Sequence, residues 1–129
     1  MRRRRTDLRA RVNGDLPLEF SEVTLTSYAG LELFGRYLRA TGFNRVVRDA
    51  WAGTAAWSDF GAVAMVRLLI GLLLVGGRRL RHLAFVQDDP LFKRFCELQV
   101  VPTARSVSRW LQGFTTTTVA CLQQINTAV

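Results

Sequence analysis

The sequence has almost no lysine, histidine or cysteine. Lys93 is the single lysine among 18 basic residues, and the other seventeen are arginines. Cys96 and Cys121 lie far apart in apolar stretches, so we expect two buried thiols and no disulfide framework. This cysteine usage is typical of a reducing compartment, and we predict a cytoplasmic protein. The lone His82 has no second histidine or paired cysteine near it, which disfavours a zinc site.

The signature motifs of several enzyme classes are also missing. The sequence contains no glycine-rich phosphate loop ahead of a helix, no Gly-x-Ser-x-Gly, no His-Glu-x-x-His and no Cys-x-x-Cys. Asp88 and Asp89 are the one adjacent pair of carboxylates, and Asp89 suits the N-cap of a helix better than a metal site. We therefore predict no catalytic residue, no metal site and no cofactor in this chain.

A membrane span is the next feature that we expect to be lacking. Residues 60–75 are apolar except for Arg67, but a bilayer needs roughly 20 such residues. A central arginine also costs about 2.5–3.5 kcal/mol on insertion scales. We interpret the run as the core helix of a bundle, with Ser58 as its N-cap and Asp59 in its first turn. The competing hypothesis is a small basic membrane-associated protein inserted through residues 60–75.

What the sequence has in excess is positive charge. Eighteen basic residues face ten acidic ones, which gives a net charge of +8 and a pI near 11.2. Such a balance favours polyanionic partners, nucleic acid first and anionic membrane second. Residues 1–15 are predicted to be a disordered basic arm. We expect it to contact DNA phosphates through four consecutive arginines, Arg2, Arg3, Arg4 and Arg5. The alternative is a disordered start of the chain without a DNA-binding role.

Apolar residues recur at helical spacing along most of the chain. The spacing predicts helices over residues 28–40, 43–51, 60–75, 78–86, 90–98 and 104–113, and a weaker pattern continues beyond 115. Ser27 or Thr26 suits the N-cap of the first helix. Residues 16–20 alternate apolar and polar and are the one strand signal. The sequence thus predicts an all-α bundle of five to seven helices, with residues 16–114 as its main domain.

The clearest functional signal lies in residues 88–114. Asp89 and Pro90 begin one short helix, Pro102 interrupts the chain, and Thr103 can cap a second helix that ends near Gly113. This order predicts a C-terminal half that resembles a helix-turn-helix. The second helix has an apolar face made of Val107, Trp110, Leu111 and Phe114.

The opposite face of that second helix carries the candidate DNA-binding residues, which are Arg105, Ser108, Arg109 and Gln112. A helix anchored by a tryptophan and presenting such side chains outward is what reading of a DNA major groove requires. The preceding basic segment is expected to add Arg78, Arg79 and Arg81. The alternative is an ordinary amphipathic surface helix whose polar face is only solvated.

Three pieces of the sequence resemble the N-terminal region of bacterial insertion-sequence transposases of the DDE type, the group called DDE domain group 1. The pieces are AGLELFGRYLRATGFNRVVRDAW, DFGAVAMVRLLIGLLLVGGRRLRHL and, most diagnostic, DDPLFKRFCELQVVPTARSVSRWLQGF. The resemblance implies a helical region that binds double-stranded DNA at transposon ends. It precedes an RNase H-like domain in which three carboxylates hold two divalent metals.

No residue of this chain corresponds to those carboxylates, so the resemblance implies a chain that is inactive alone. Residues 115–129 would then start a linker helix towards the missing catalytic domain. We expect a truncated or fragmentary transposase, or one piece of a split reading frame. A remnant that no longer folds is a further alternative. The sequence leaves the oligomeric state open, and a homo-oligomer is compatible with it.

Overall fold

A computed structural model describes residues 26–52 and 58–128, and every regular element within these ranges is helical. The elements are α1 (Gly30–Ala40), α2 (Phe43–Trp51), α3 (Ala62–Leu74), a 3-10 helix (Leu80–Phe85), α4 (Pro90–Cys96), α5 (Ala104–Gln112) and α6 (Thr116–Ala128). The predicted all-α multi-helix bundle is confirmed. The predicted basic arm and the strand signal at 16–20 lie outside the described residues.

The apolar run forms the centre of the bundle, as predicted. α3 packs against α2 on one side and α4 on another, and Met65, Leu68 and Leu72 are buried in the resulting core. The neighbouring helices do not fully cover the C-terminal end of α3, where the Leu73 side chain is 71% exposed. Within the described ranges, no helix combines the length and the apolar character that crossing a bilayer requires.

Two predicted helix caps are wrong for one shared reason. α1 begins one residue after Ala29, which offers no side-chain cap, and Thr26 Oγ1 instead accepts a hydrogen bond from the Tyr28 N–H. At α3 the N-cap is Gly61, while Ser58 Oγ accepts from the Phe60 N–H. Both hydroxyls therefore bind a backbone N–H two residues ahead and stabilise a turn before the helix instead of capping the helix itself.

A glycine pair ends α3 and leads into the basic segment. Gly76 has a φ of 88°, in the left-handed region that favours glycine. At Gly77 a Cβ atom would lie 2.8 Å from the Leu72 carbonyl oxygen, so a larger residue would force the backbone apart. The predicted short helix that follows is a 3-10 helix, which buries Leu83 and is followed by the buried Val86.

The two helices of the 88–114 stretch begin where the sequence predicts. Asp89 Oδ1 accepts from the N–H groups of Leu91 and Phe92, and Pro90 is the first residue of α4. Thr103 Oγ1 accepts from the Ser106 N–H at the start of α5. α4 ends at Cys96, two residues earlier than predicted, because Glu97 adopts a left-handed conformation with φ 60°.

The last helix joins the bundle through a face that the apolar pattern identifies only in part, since Ile125 is buried and Leu122 is partly buried. α6 packs along α2, and its buried residues are Thr118, Cys121 and Ile125. Val119, which has helical spacing with Leu122 and Ile125, is exposed. Thr118 is accommodated inside because its hydroxyl accepts a hydrogen bond from the Thr115 N–H at 3.3 Å.

Candidate nucleic-acid interface

α5 is held to the bundle by its apolar face, as the sequence predicts. Val107 and Trp110 are buried, and Leu111 and Phe114 are partly buried against the same core. The 3-10 helix is the main element that packs against α5. The helix is therefore fixed along one side, and its other side faces away from the core.

An aromatic cluster of Trp51, Trp110 and Phe114 fixes the C-terminal end of α5. The rings of Trp51 and Trp110 stack at 5.8 Å between centroids with 23° between their planes. Phe114 meets Trp110 edge-on at 4.7 Å and 81°. Trp51 is the last residue of α2, so this cluster ties α5 to a helix that precedes it by more than fifty residues. Aromatic pairs in such geometries stabilise by about 0.5–1.5 kcal/mol beyond the area they bury.

The outward face of α5 presents the predicted polar set. Arg105, Arg109 and Gln112 are exposed, and Ser108 is partly buried. Among the described residues, neither Arg105 nor Arg109 makes an ion pair or a side-chain hydrogen bond. Their Cα atoms are four residues apart, about 6 Å along the helix axis. Two unpaired guanidinium groups thus project from one side of an anchored helix.

The structure places a second predicted basic group beside α5. Arg78, Arg79 and Arg81 are exposed in and before the 3-10 helix that packs against α5. His82 is partly buried, and its Nδ1 atom accepts a hydrogen bond from the Arg78 N–H at 3.1 Å. This bond assigns a structural role to the imidazole, which helps to shape the segment that carries the three arginines. The remaining predicted residues, Arg2 to Arg5, lie outside the described ranges.

The arrangement of α4 and α5 is looser than that of a compact helix-turn-helix. Seven residues, 97–103, connect the two helices, whereas such motifs use a turn of about three to four residues. α4 packs mainly against α3 and α1, whereas α5 packs mainly against the 3-10 helix. The resemblance to a helix-turn-helix therefore lies in the order of the elements and in the exposure of the second helix.

The structure also reveals an ionic cluster around one buried arginine, which no local sequence pattern predicts. Arg67 is 3% exposed in the middle of α3, and its Nη1 atom donates to Glu97 Oε1 at 2.6 Å and to Asn44 Oδ1 at 3.3 Å. Asn44 Nδ2 donates to both carboxylate oxygens of Glu97, at 2.9 and 3.1 Å. From the sequence alone, Arg67 is notable only because it disfavours membrane insertion. Asn44, Arg67 and Glu97 are too far apart along the chain for a local pattern to link them.

Cys96, next to this cluster, is a buried free thiol, as is Cys121. Burial raises the pKa of the Cys96 thiol to about 12, and the positive charge of Arg67 acts weakly in the opposite direction. The thiolate is therefore strongly disfavoured at neutral pH, and Cys96 behaves as a small apolar residue of the core.

Metal-binding groups are not brought together in the part of the chain that the structure describes: no three His, Cys, Asp or Glu side chains there could hold an ion. Asp89 is fully engaged, since its Oδ2 atom accepts from Thr26 Oγ1 at 2.6 Å while Oδ1 caps α4. Comparison of the chain with protein-family models, with curated proteins and with solved structures gave no significant match.

Proposed function

We propose that this chain binds double-stranded DNA and is the DNA-binding N-terminal part of a DDE-type transposase, where it recognises transposon ends. The observation that supports the proposal most is the pair Arg105 and Arg109, unpaired and exposed on a helix whose opposite face is anchored by Trp110. The resemblance of residues 28–114 to that transposase group supplies the biological setting.

The dimensions of α5 suit a major groove. Nine residues make a helix about 14 Å long, and the groove of B-DNA is about 12 Å wide and admits one α-helix. An arginine can form two hydrogen bonds to a guanine edge, and a glutamine can do the same with adenine. Arg105 and Arg109 are therefore the proposed readers of base sequence, with Gln112 and Ser108 beside them.

The neighbouring arginines are proposed to position the helix on the duplex. Arg78, Arg79 and Arg81 lie on the segment next to α5, where contacts with phosphates would fix orientation without reading sequence. Residues 78–112 contain seven basic residues and three carboxylates. Two of those carboxylates, Asp89 and Glu97, are occupied by internal hydrogen bonds. The region therefore offers excess positive charge to a polyanion.

The proposal is tested with a double variant, Arg105→Ala with Arg109→Ala. Binding to a duplex that carries an insertion-sequence end, identified by searching the DNA around the gene for an inverted repeat, is compared with binding to a random duplex by fluorescence anisotropy across a salt series. Loss of a bidentate base contact costs about 1–3 kcal/mol of discrimination. We expect the preference for the inverted repeat to fall by that amount, and non-specific affinity to fall less.

The matched control is Arg45→Ala with Arg48→Ala on α2, which removes two exposed arginines and the same net charge. This control should weaken binding to both duplexes alike and keep the preference. An unchanged preference in the α5 variant would leave its polar face as solvated surface only. Failure of the wild-type chain to bind any duplex at about 50 mM salt would reject DNA binding as its function.

A further inference from the structure

A small pocket of about 240 Å³ lies beside the buried Arg67, between α1, α3 and α4. Its charged lining residues are three arginines, Arg39, Arg67 and Arg94, and two glutamates, Glu32 and Glu97. None of its lining residues belongs to α5, so the pocket is separate from the proposed DNA-reading face. Its volume is several times the roughly 30 Å³ that one water occupies.

The positive charge around this pocket exceeds what its carboxylates neutralise. Glu32 Oε1 is shared by Arg36 at 3.2 Å and Arg39 at 3.7 Å. The hydrogen bond from Arg36 lowers the pKa of Glu32, and the charge of Arg94 adds to this effect. Arg94 itself makes no ion pair with any described residue. The carboxylate of Glu32 thus interacts electrostatically with three guanidinium groups, those of Arg36, Arg39 and Arg94.

Arg67 adds a buried donor that has no acceptor. Its Nη1 atom is taken by Glu97 and Asn44, but its Nε atom is buried and has no hydrogen-bond partner among the described residues. A buried charged donor without an acceptor is unfavourable and uncommon in proteins. Its guanidinium also lies 5.4 Å from the centre of the Phe95 ring, a distance at which the two groups attract each other.

We propose that this pocket binds a small tetrahedral oxyanion of the phosphate class, with Arg39 and Arg94 at its mouth and Arg67 at its floor. Guanidinium groups match the oxygen atoms of such an anion with paired hydrogen bonds. The excess of arginine over carboxylate selects for negative charge. The pocket is smaller than the roughly 300 Å³ at which sites for drug-sized ligands begin, so it favours a single phosphoryl group over a nucleotide. The inference does not depend on DNA reading by α5.

Thermal unfolding of the whole chain in sodium phosphate and in sodium chloride, at equal ionic strength and pH, tests the proposal. A specifically bound anion stabilises the folded state until the site is full. We expect phosphate to raise Tm above its value in chloride by about 2–5 °C, and the rise to saturate.

A matched pair of variants locates the effect. Arg39→Gln with Arg94→Gln removes the two arginines at the mouth, one weakly paired and one unpaired. The control is Arg45→Gln with Arg48→Gln, which likewise removes one arginine in a weak ion pair, Arg45–Asp49 at 3.8 Å, and one exposed neighbour. The phosphate-specific rise in Tm should disappear in the first variant and persist in the second. All four side chains are exposed, so both variants should fold.

Nuclear magnetic resonance gives a readout that is specific to the floor of the pocket. The assigned Nε–H resonance of Arg67 should shift as phosphate is added to the wild type and stay fixed in Arg39→Gln with Arg94→Gln. Repeating the titration with a saturating short duplex distinguishes the source of the anion. Loss of the phosphate-dependent shift would identify a phosphate of the DNA backbone as the occupant, and a retained shift would identify free oxyanion.

Three results would overturn the proposal. The first is a Tm that rises equally in phosphate and in chloride. The second is a phosphate-specific rise that survives in Arg39→Gln with Arg94→Gln, which would place the anion elsewhere. The third is an Arg67 Nε–H resonance that does not respond to phosphate.

Discussion

Glu97→Ala is the substitution that should reveal most about how the core accommodates Arg67. It removes the carboxylate oxygen that lies 2.6 Å from Arg67 Nη1 and both acceptors of Asn44 Nδ2. The arginine is 3% exposed in the wild type, and the hydrogen bond left to it would be the 3.3 Å bond to Asn44. A largely buried charge would therefore lose its counter-ion.

The expected magnitude follows from the burial of the two partners. Removing one member of a fully buried ion pair costs about 3–5 kcal/mol. The Glu97 side chain is 47% exposed, so water already screens part of the attraction. We therefore expect Glu97→Ala to lower the free energy of unfolding by about 2–3 kcal/mol. Arg67→Met should change it by less than about 1 kcal/mol, because an apolar side chain of similar length needs no counter-ion.

A double-mutant cycle separates this ionic effect from simple loss of packing. Unfolding in urea is followed by far-UV circular dichroism for the wild type, for Glu97→Ala, for Arg67→Met and for the double variant. If Arg67 is the reason that Glu97 matters, the double variant should be about as stable as Arg67→Met. The coupling free energy should then be about 2 kcal/mol.

The backbone of Glu97 supplies an internal control. Its φ of 60° is costly for any residue with a Cβ atom. Glu97→Gly loses the same carboxylate but relieves this strain, so it should be about 1 kcal/mol more stable than Glu97→Ala. Strictly additive effects in the double variant would refute the ionic explanation. Equal stability of the alanine and glycine variants would refute the account of the backbone.

Three further predictions concern the core, the thiol and the arm. Trp110→Ala should destabilise the fold by about 3–5 kcal/mol, as expected for a large buried aromatic; a variant that folds normally and loses only DNA binding would place Trp110 on the DNA-facing surface instead. Because the folded pKa of Cys96 is raised from 9.0 to about 12, stability should fall as pH rises above 9, by about 1.4 kcal/mol at pH 10. Urea titrations of Cys96→Ala should show a smaller alkaline loss, and an identical loss would assign it to other groups. Deleting residues 1–5 should flatten the slope of log affinity against log salt by about 0.9 for each phosphate contact removed, whereas an unchanged slope would mean that the arm does not touch DNA.

The parts of the fold that the sequence predicts well depend on neighbouring residues. Asp89 with Pro90, and Thr103 after Pro102, specify helix starts through bonds to residues two or three positions ahead. The faces of α5 follow in the same way from helical spacing alone. The caps of α1 and α3 were predicted wrongly because a threonine or serine bonds a nearby N–H equally well in a turn and in a cap.

The parts that the sequence misses depend on contacts between distant residues. Asn44, Arg67 and Glu97 belong to α2, α3 and the end of α4, and only the assembled bundle brings them together. The burial of Thr118 on α6 was missed for a different reason. Cys121 is buried as predicted, whereas Thr118 is polar and enters the core only because its hydroxyl finds a hydrogen-bond partner in Thr115.

The stacked rings of Trp51 and Trp110 should also give the folded chain a distinctive circular dichroism signal. Two indole chromophores with centroids 5.8 Å apart couple through their transition dipoles, which alters their ultraviolet circular dichroism relative to isolated tryptophans. One ring belongs to α2 and the other to α5, so the coupled signal exists only while α5 is docked on the bundle. The folded chain thereby carries an unlabelled spectroscopic sensor of the helix that it is proposed to insert into DNA.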